Sequence, residues 1–468
     1  MTDKKHSKAS PPIGAMPEGE ARDTRGRRIR YDGDPEHLVR GTTDADRADP
    51  HPLYVVWEIT LRCDLGCKHC GSRAGKARSH EMSTEECLEV VRQLAEMRVR
   101  EVTLIGGEAY LREDWDVIAR AITDAGMVCG MTTGARNLDA DRVRRAVDAG
   151  LRSISVSIDG LEMTHDAQRG ARGSFRAALE AAERVAASPI ILAANTQINR
   201  LSMPEMPSLA ELLVEIGARA WQIQITVPMG RGADRPDLIL QPHDLLELFP
   251  LLVYIKQEIL EPGGVQLFPG NNIGYFGPYE HLLRYGAHLG AHWGGCAAGK
   301  WCLGLEADGK IKGCPSLPSA DWTGGYADKE PIAKVVAETR ELRYLSERTR
   351  DDLWGFCRDC YYGDICKGGC TWTTECIVGK PGNNPYCIHR ALELEKQGKR
   401  ERLVKVEAAP GVPFDRGRFE IVEEPMPELA PDEAPTVLGL PLAHITGLGT
   451  SATTAWSDEA IARALDER

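Results

Sequence analysis

Apolar and polar positions along the chain change their period at residue 54. Residues 54–60 (Tyr-Val-Val-Trp-Glu-Ile-Thr) are a short, largely apolar run that predicts a buried strand. A helix follows, opened by Ser83 with Glu86 three residues on in a capping-box pattern, and runs to about Val99. Further strands are predicted at 101–105, 127–133, 153–158, 190–197 and 221–227. Helices fall between and after them, from about Asp114, from about Asp139, and over 174–187, 207–216 and about 243–260. Gly126, Gly150 and Gly217 stand where three of these helices must stop. Six βα units in strict order imply a parallel sheet, either doubly wound or barrel-like. In both arrangements reactive groups gather at the C-terminal ends of the strands, which places the motifs below.

The pattern is lost on either side of this core, expected over 51–265. Residues 1–50 hold ten Lys/Arg against ten Asp/Glu and are broken by Pro11, Pro12, Gly14, Pro17 and Gly19, so they are expected to be a disordered extension. Residues 266–295 are a bridging region. Over 296–392, Gly, Pro, aromatic residues and Cys become dense; such a segment has few long elements and needs metal to hold it together. Residues 393–468 read as an acidic, Pro-rich tail. From Glu407 onward they hold twelve Asp/Glu, four Arg and seven Pro, which predicts a flexible extension with a helical pattern only at 457–468.

Composition narrows the function. The net charge of −12 argues against non-specific nucleic-acid binding. The longest apolar runs, such as 190–194, are too short to cross a bilayer, and the lysine-rich N-terminus lacks the apolar segment of a secretory signal. A cytoplasmic protein with no membrane partner is expected. Its 14 cysteines then point to metal or catalysis, because the cytosol keeps thiols reduced.

Cys63-x3-Cys67-x2-Cys70 lies just after the first strand, at the reactive end of the sheet. Three thiolates this close hold one metal or cluster with a position left open, the pattern of a reactive centre. A zinc site completed by His69 or His80 is the alternative on spacing alone. The spacing also resembles the signature of the radical S-adenosylmethionine (SAM) superfamily, with His69 at its aromatic position. Two further stretches fit the resemblance. Gly106-Gly107-Glu108 after the second strand is similar to the motif that holds the SAM amino group, with Ala109 where proline is usual. Ser157-Ile158-Asp159-Gly160 ends the fourth strand, and Arg169 follows; in similar enzymes this serine and arginine contact SAM, the arginine through its carboxylate. The resemblance covers about residues 51–265. It implies a partial (β/α)6 TIM-like barrel, one 4Fe–4S cluster on Cys63, Cys67 and Cys70, and SAM bound at Gly106, Gly107, Glu108, Ser157, Asp159 and Arg169.

The second constellation is Cys296-x5-Cys302-x11-Cys314, then Cys357-x2-Cys360-x5-Cys366-x3-Cys370, then Cys387. It resembles the SPASM extension of radical SAM maturases, a small cysteine-rich domain. Eight cysteines suffice for two fully ligated 4Fe–4S clusters, or for structural zincs. The resemblance implies an interleaved division, which spacing alone does not give: Cys296, Cys302, Cys314 and Cys370 on one cluster, Cys357, Cys360, Cys366 and Cys387 on the other. Cys87 and Cys129 read as small buried hydrophobes, and Cys376 as a free thiol.

By resemblance the chain is an oxidoreductase that cleaves SAM reductively to a 5′-deoxyadenosyl radical and oxidatively modifies a ribosomally made peptide. Electrons would come from a donor such as flavodoxin or ferredoxin. Residues 1–50 are too short and polar for a leader-binding domain, so leader recognition would fall to the body or to a separate protein. Pro315 after Cys314 replaces the aspartate of sulfatase-type maturases, which disfavours formylglycine formation. Two other readings stand beside this one: a radical SAM enzyme acting on a small molecule or tetrapyrrole side chain, and a metal-stabilised binding module without redox activity. Gln222 and Gln224, alternating on one strand, are candidate substrate contacts. Tyr275, Tyr279, His288 and His292 in the bridge read as loop or packing residues. No residue is singled out as a catalytic acid or base.

Overall fold

The computed structural model describes residues 42–274, 276–284 and 295–427, with Arg40 and the strand residues 21–22, 28–29, 436–437 and 440–441. The expected βα series is present: β1 (Tyr54–Glu58), α1 (Thr84–Glu96), β2 (Glu101–Ile105), α2 (Trp115–Asp124), β3 (Val128–Thr133), α3 (Ala140–Asp148), β4 (Ser153–Ser157), α4 (Glu162–Arg169), α5 (Ser174–Ala186), β5 (Ile191–Ile198), α6 (Met206–Glu215), β6 (Ala220–Ile225) and α7 (Leu245–Tyr254). β1 to β6 pair in parallel, each with the next. The Ser83 capping box forms as the spacing predicts: the Glu86 amide donates to Ser83 Oγ at 3.2 Å and the Ser83 amide to Glu86 Oε2 at 2.7 Å.

Each helix lays an apolar stripe on the sheet, as Cys87, Val90, Val91 and Leu94 do on α1. On α5 that stripe is Phe175, Ala178, Ala181, Ala182 and Val185, small enough for close approach. Trp57, Trp115 and Trp221 fill the core, and Trp221 Nε1 donates to Thr196 Oγ1 at 2.8 Å. Cys87 and Cys129 lie in that core as small apolar residues. Among the described residues no helix is long and apolar enough to cross a membrane.

The structure departs from the sequence reading in four places. A seventh parallel strand, β7 (Gln266–Pro269), pairs with β6 beyond the expected end of the alternation; four residues are too few to show a period. α4 forms in a polar stretch to which the sequence reading assigned no element, and its buried face includes Thr164, His165, Asp166 and Gln168.

The third departure concerns the boundary at 296, which the sheet crosses. β8 (Cys302–Leu305) runs parallel to β1 on its outer side, and β9 (Lys310–Lys312) and β10 (Gly325–Tyr326) extend it antiparallel. The result is one ten-stranded sheet in the order β10-β9-β8-β1-β2-β3-β4-β5-β6-β7. β8 covers the edge that β1 would otherwise expose.

The fourth departure is the start of the tail. β11 (Lys399–Glu407) and β12 (Arg418–Pro425) form an antiparallel hairpin after helices α8 (Thr371–Val378) and α9 (Ile388–Glu395). Its acidic strand is matched across the pair by basic residues, as in Lys399–Glu423 and Arg400–Glu424, which a count of acids alone conceals. Leu403 and Phe419 reach the main core, and the buried Arg390–Glu401 pair closes at 2.6 Å. Phe419→Ala should therefore lower stability by about 3–5 kcal/mol, the usual cost of a core aromatic. Denaturant unfolding checks this; a flexible extension would give no change. At the other end, a helix at Asp44–Ala48, boxed by Thr43 and Asp46, ties to the body through Asp46–Arg100 and Arg40–Glu101. The rest of the expected N-terminal disorder, and the expected helix at 457–468, lie outside the described residues.

Candidate active site

The loop that leaves β1 carries Cys63, Cys67 and Cys70, and backbone from several elements fixes it. The Cys63 amide donates to Gly75 O at 2.9 Å, and the Gly75 amide to Leu61 O at 3.1 Å. The Lys68 amide donates to Gln168 O on α4 at 2.7 Å. Arg231 Nε donates to Cys67 O at 2.7 Å and its Nη1 to Ala74 O at 3.0 Å. The three thiols gather around Leu65 and Ala171. Burial pushes Cys63 up to about 12. It raises Cys67 as well, against the pull of Arg169. Such thiols keep their protons unless a metal displaces them.

Gly106 and Gly107 lie directly on the start of this loop. A side chain on Gly107 would collide with the carbonyls of Arg62 and Leu61, and one on Gly106 with that of Thr60. The close approach lets the Gly107 amide donate to Thr60 O and the Glu108 amide to Arg62 O, both at 2.8 Å. Glu108 is thereby turned inward and almost wholly buried. Its Oε2 accepts from the Gly134 amide at 2.9 Å, while its Oε1 is buried without a partner among the described residues. Burial pushes this carboxyl up to about 8.

Asp159 follows the end of β4, with Ser157 half-buried two residues before it. Burial opposes its ionisation, but Arg169 and His69 outweigh burial and hold it well below the usual carboxylate range. Arg169 Nη2 stands 2.7 Å from Asp159 Oδ2, and His69 Nε2 stands 3.1 Å from the same oxygen. Arg169 Nη1 donates to Cys67 Sγ at 3.6 Å, and its Nε is buried without a partner among the described residues. Glu108 and Arg169 meet at Gly134, at the end of β3. A Cβ there would lie 3.4 Å from Glu108 Oε2, 3.9 Å from Arg169 Nη1 and 2.7 Å from Leu65 Cδ1. Glu108 and Arg169, each with one buried unpartnered atom among the described residues, thus come together near the loop of the three thiols.

The other eight cysteines divide by proximity. Cys296 feels the charge of Cys370, Cys314 and Cys302. Cys366 feels Cys387, Cys357 and Cys360. Phe276 and Tyr362, stacked 4.4 Å apart, pack with Trp372 among Cys296, Cys370, Cys366 and Cys387. Among the described residues no three Cys, His, Asp or Glu side chains converge tightly enough to hold a metal ion. Sets of four thiols have the ligand number of an iron–sulfur cluster or of a structural zinc. Cys376 is within electrostatic reach of Cys370 and Cys314 but packs with Val227, Met229 and Phe414.

Gln222 and Gln224 share the half-buried side of β6, and Gln197 donates to Gln224 at 3.2 Å. Tyr279 is buried against Phe249 at 6.2 Å, a packing role. Tyr275, His288 and His292 lie outside the described residues. Sequence reasoning gave no role to Arg231, which no motif marks, and took His69 as a variation in the cysteine motif or as a zinc ligand, not as a partner of Asp159.

Residues 57–205 match the radical SAM superfamily. This stretch is a radical SAM domain. The chain is 28% identical over 350 residues to the AdoMet-dependent heme synthase of Methanosarcina barkeri, covering 72% of this chain and 97% of that protein. It is 27% identical over 354 residues to the mycofactocin maturase MftC of Mycolicibacterium smegmatis, covering 74% and 86%. The fold is that of Streptococcus suis SuiB bound to S-adenosylmethionine, with a TM-score of 0.57, 16% identity, and coverage of 72% and 76%. The chemistry of the donor set, three thiols with a buried carboxyl and a buried guanidinium beside them, suits a cluster and the amino-acid end of SAM.

Proposed function

We propose that this radical SAM enzyme is a SPASM-type maturase that oxidatively modifies a ribosomally made peptide. Cys63, Cys67 and Cys70 would hold a 4Fe–4S cluster, which when bound supplies the electron for reductive cleavage of SAM. Glu108 Oε1 binds the SAM ammonium and Arg169 Nε its carboxylate, with Gly106 and Gly107 giving the room and Ser157 lining the site. Asp159 keeps Arg169 aimed, and Arg231 keeps the cysteine loop closed on the substrate side. Cys296, Cys302, Cys314 and Cys370 would hold one auxiliary cluster, and Cys357, Cys360, Cys366 and Cys387 the other. A flavodoxin or ferredoxin would deliver electrons, and a separate protein would present the leader.

The observation that carries the reading is the pair of unpartnered buried atoms, Glu108 Oε1 and Arg169 Nε, beside three thiols. The peptide substrate is supported by the likeness to MftC and by eight auxiliary cysteines in two sets of four. A tetrapyrrole side chain is the second reading, favoured by the likeness to heme synthases along nearly their whole length. Anaerobically reconstituted protein with SAM and dithionite tests both. A candidate precursor peptide should stimulate 5′-deoxyadenosine release; stimulation by a carboxylated tetrapyrrole instead would transfer the assignment. Glu108→Gln should raise the Kd for SAM at least about tenfold, equivalent to 1.4 kcal/mol. Isothermal titration of the reconstituted variant checks it, and an unchanged Kd would remove Glu108 from the site.

A further inference from the structure

The two auxiliary thiol groups sit in different electrostatic surroundings. Beside the first group lies Arg348, which is 6% exposed. Its Nη1 donates to Thr371 Oγ1 at 3.0 Å, next to Cys370, and to Lys367 O at 3.3 Å. Its guanidinium lies 5.6 Å from the ring centre of Tyr344, which packs with Cys296 and Cys314. The Tyr344 hydroxyl is itself buried without a partner among the described residues. Arg348 forms no ion pair with a carboxylate among the described residues. Two carboxylates lie within reach of its charge: Asp352, which is exposed and accepts from the Thr349 amide at 2.8 Å, and the buried Glu375, which is paired instead with Arg416 at 3.0 Å.

The other cations near this group are compensated. Lys312 stands 2.7 Å from Glu306, and Arg40 Nε donates to Glu101 at 2.8 Å. The second group has its own buried arginine, Arg390, whose charge reaches Cys357 and Cys387. That arginine is neutralised by Glu401 at 2.6 Å, with both side chains buried.

A buried cation without a counter-ion attracts added negative charge far more strongly than one already paired. Reduction adds one electron to a cluster, and local charge sets the potential at which it does so. We propose that Arg348 is a positioning residue for redox. It raises the reduction potential of a cluster on Cys296, Cys302, Cys314 and Cys370 above that of the cluster on Cys357, Cys360, Cys366 and Cys387, so that the first group is reduced first. This inference rests on the cluster reading given under Proposed function.

The test uses the full chain with Cys63, Cys67 and Cys70 replaced by alanine, reconstituted anaerobically, so that only auxiliary signals remain. About eight iron and eight sulfide per chain are expected; fewer would overturn the cluster reading, this inference included. Redox titration followed by electron paramagnetic resonance then gives two midpoints, and Cys357→Ala with Cys360→Ala identifies the second group by its loss. Arg348→Gln should lower the reduced-to-oxidised ratio of the first group at least about tenfold at the parent's midpoint, which is 59 mV for one electron. Arg348→Lys should recover most of it, and the second group should not move. If Arg348→Gln does not fold, Glu401→Gln provides the mirror test: freeing Arg390 should raise the second group's midpoint. An unmoved first group in folded Arg348→Gln, an unmoved second group in Glu401→Gln, or both groups shifting together would overturn the proposal.

Discussion

Cys63→Ala is expected to abolish 5′-deoxyadenosine formation while leaving the fold intact. Cys63 is half-buried in a loop, not in the core, and its amide bond to Gly75 O does not depend on its side chain. Loss of one sulfur leaves Cys67 and Cys70 alone to hold a cluster that needs three ligands to stay at the site. The magnitude is all or nothing for the chemistry, with a stability change of about 1 kcal/mol or less. Chromatographic assay of 5′-deoxyadenosine with SAM and dithionite checks the first part, and thermal unfolding checks the second. Retained nucleoside release would sink the assignment of these thiols.

The second large effect is expected at Arg169. Arg169→Met keeps the volume and removes the charge facing a fully buried Asp159, whose other close side-chain neighbour is His69. An uncompensated buried carboxylate costs about 3–5 kcal/mol. The pH dependence has a definite sign. The Asp159 pKa is depressed in the folded state, so the stability it lends is present above the ordinary carboxylate value near 3.8 and is lost as pH falls through the folded value. Arg169→Met should therefore lower stability most near neutral pH, and the gap to the parent should narrow toward acid. Urea unfolding at several pH values checks this; a loss at pH 2 equal to that at pH 7 would mean that the pair with Asp159 is not the cause.

The sequence was informative where a local rule coincides with the tertiary outcome. The six parallel strands followed from period and glycine stops, and the Ser83 capping box formed as its spacing required. The cysteine loop was legible because its spacing is local. What lay beyond reading depends on partners distant in sequence. β8 joins the core sheet because β1 has an open edge, a fact about β1 rather than about residues 302–305. The β11–β12 hairpin was hidden because its acidic residues pair with bases on the facing strand. Arg348 has no motif at all; its meaning comes from the lack of an ion-paired carboxylate among the described residues, where Arg169 and Arg390 each have one.

The most direct test of the account is the mass of a peptide. A short precursor encoded beside this gene, co-produced with the enzyme under anaerobic conditions, should lose two hydrogens. The loss should be absent with Cys63→Ala. A peptide of unchanged mass, recovered with enzyme that releases 5′-deoxyadenosine and acts on a tetrapyrrole carboxylate, would contradict the peptide-maturase reading.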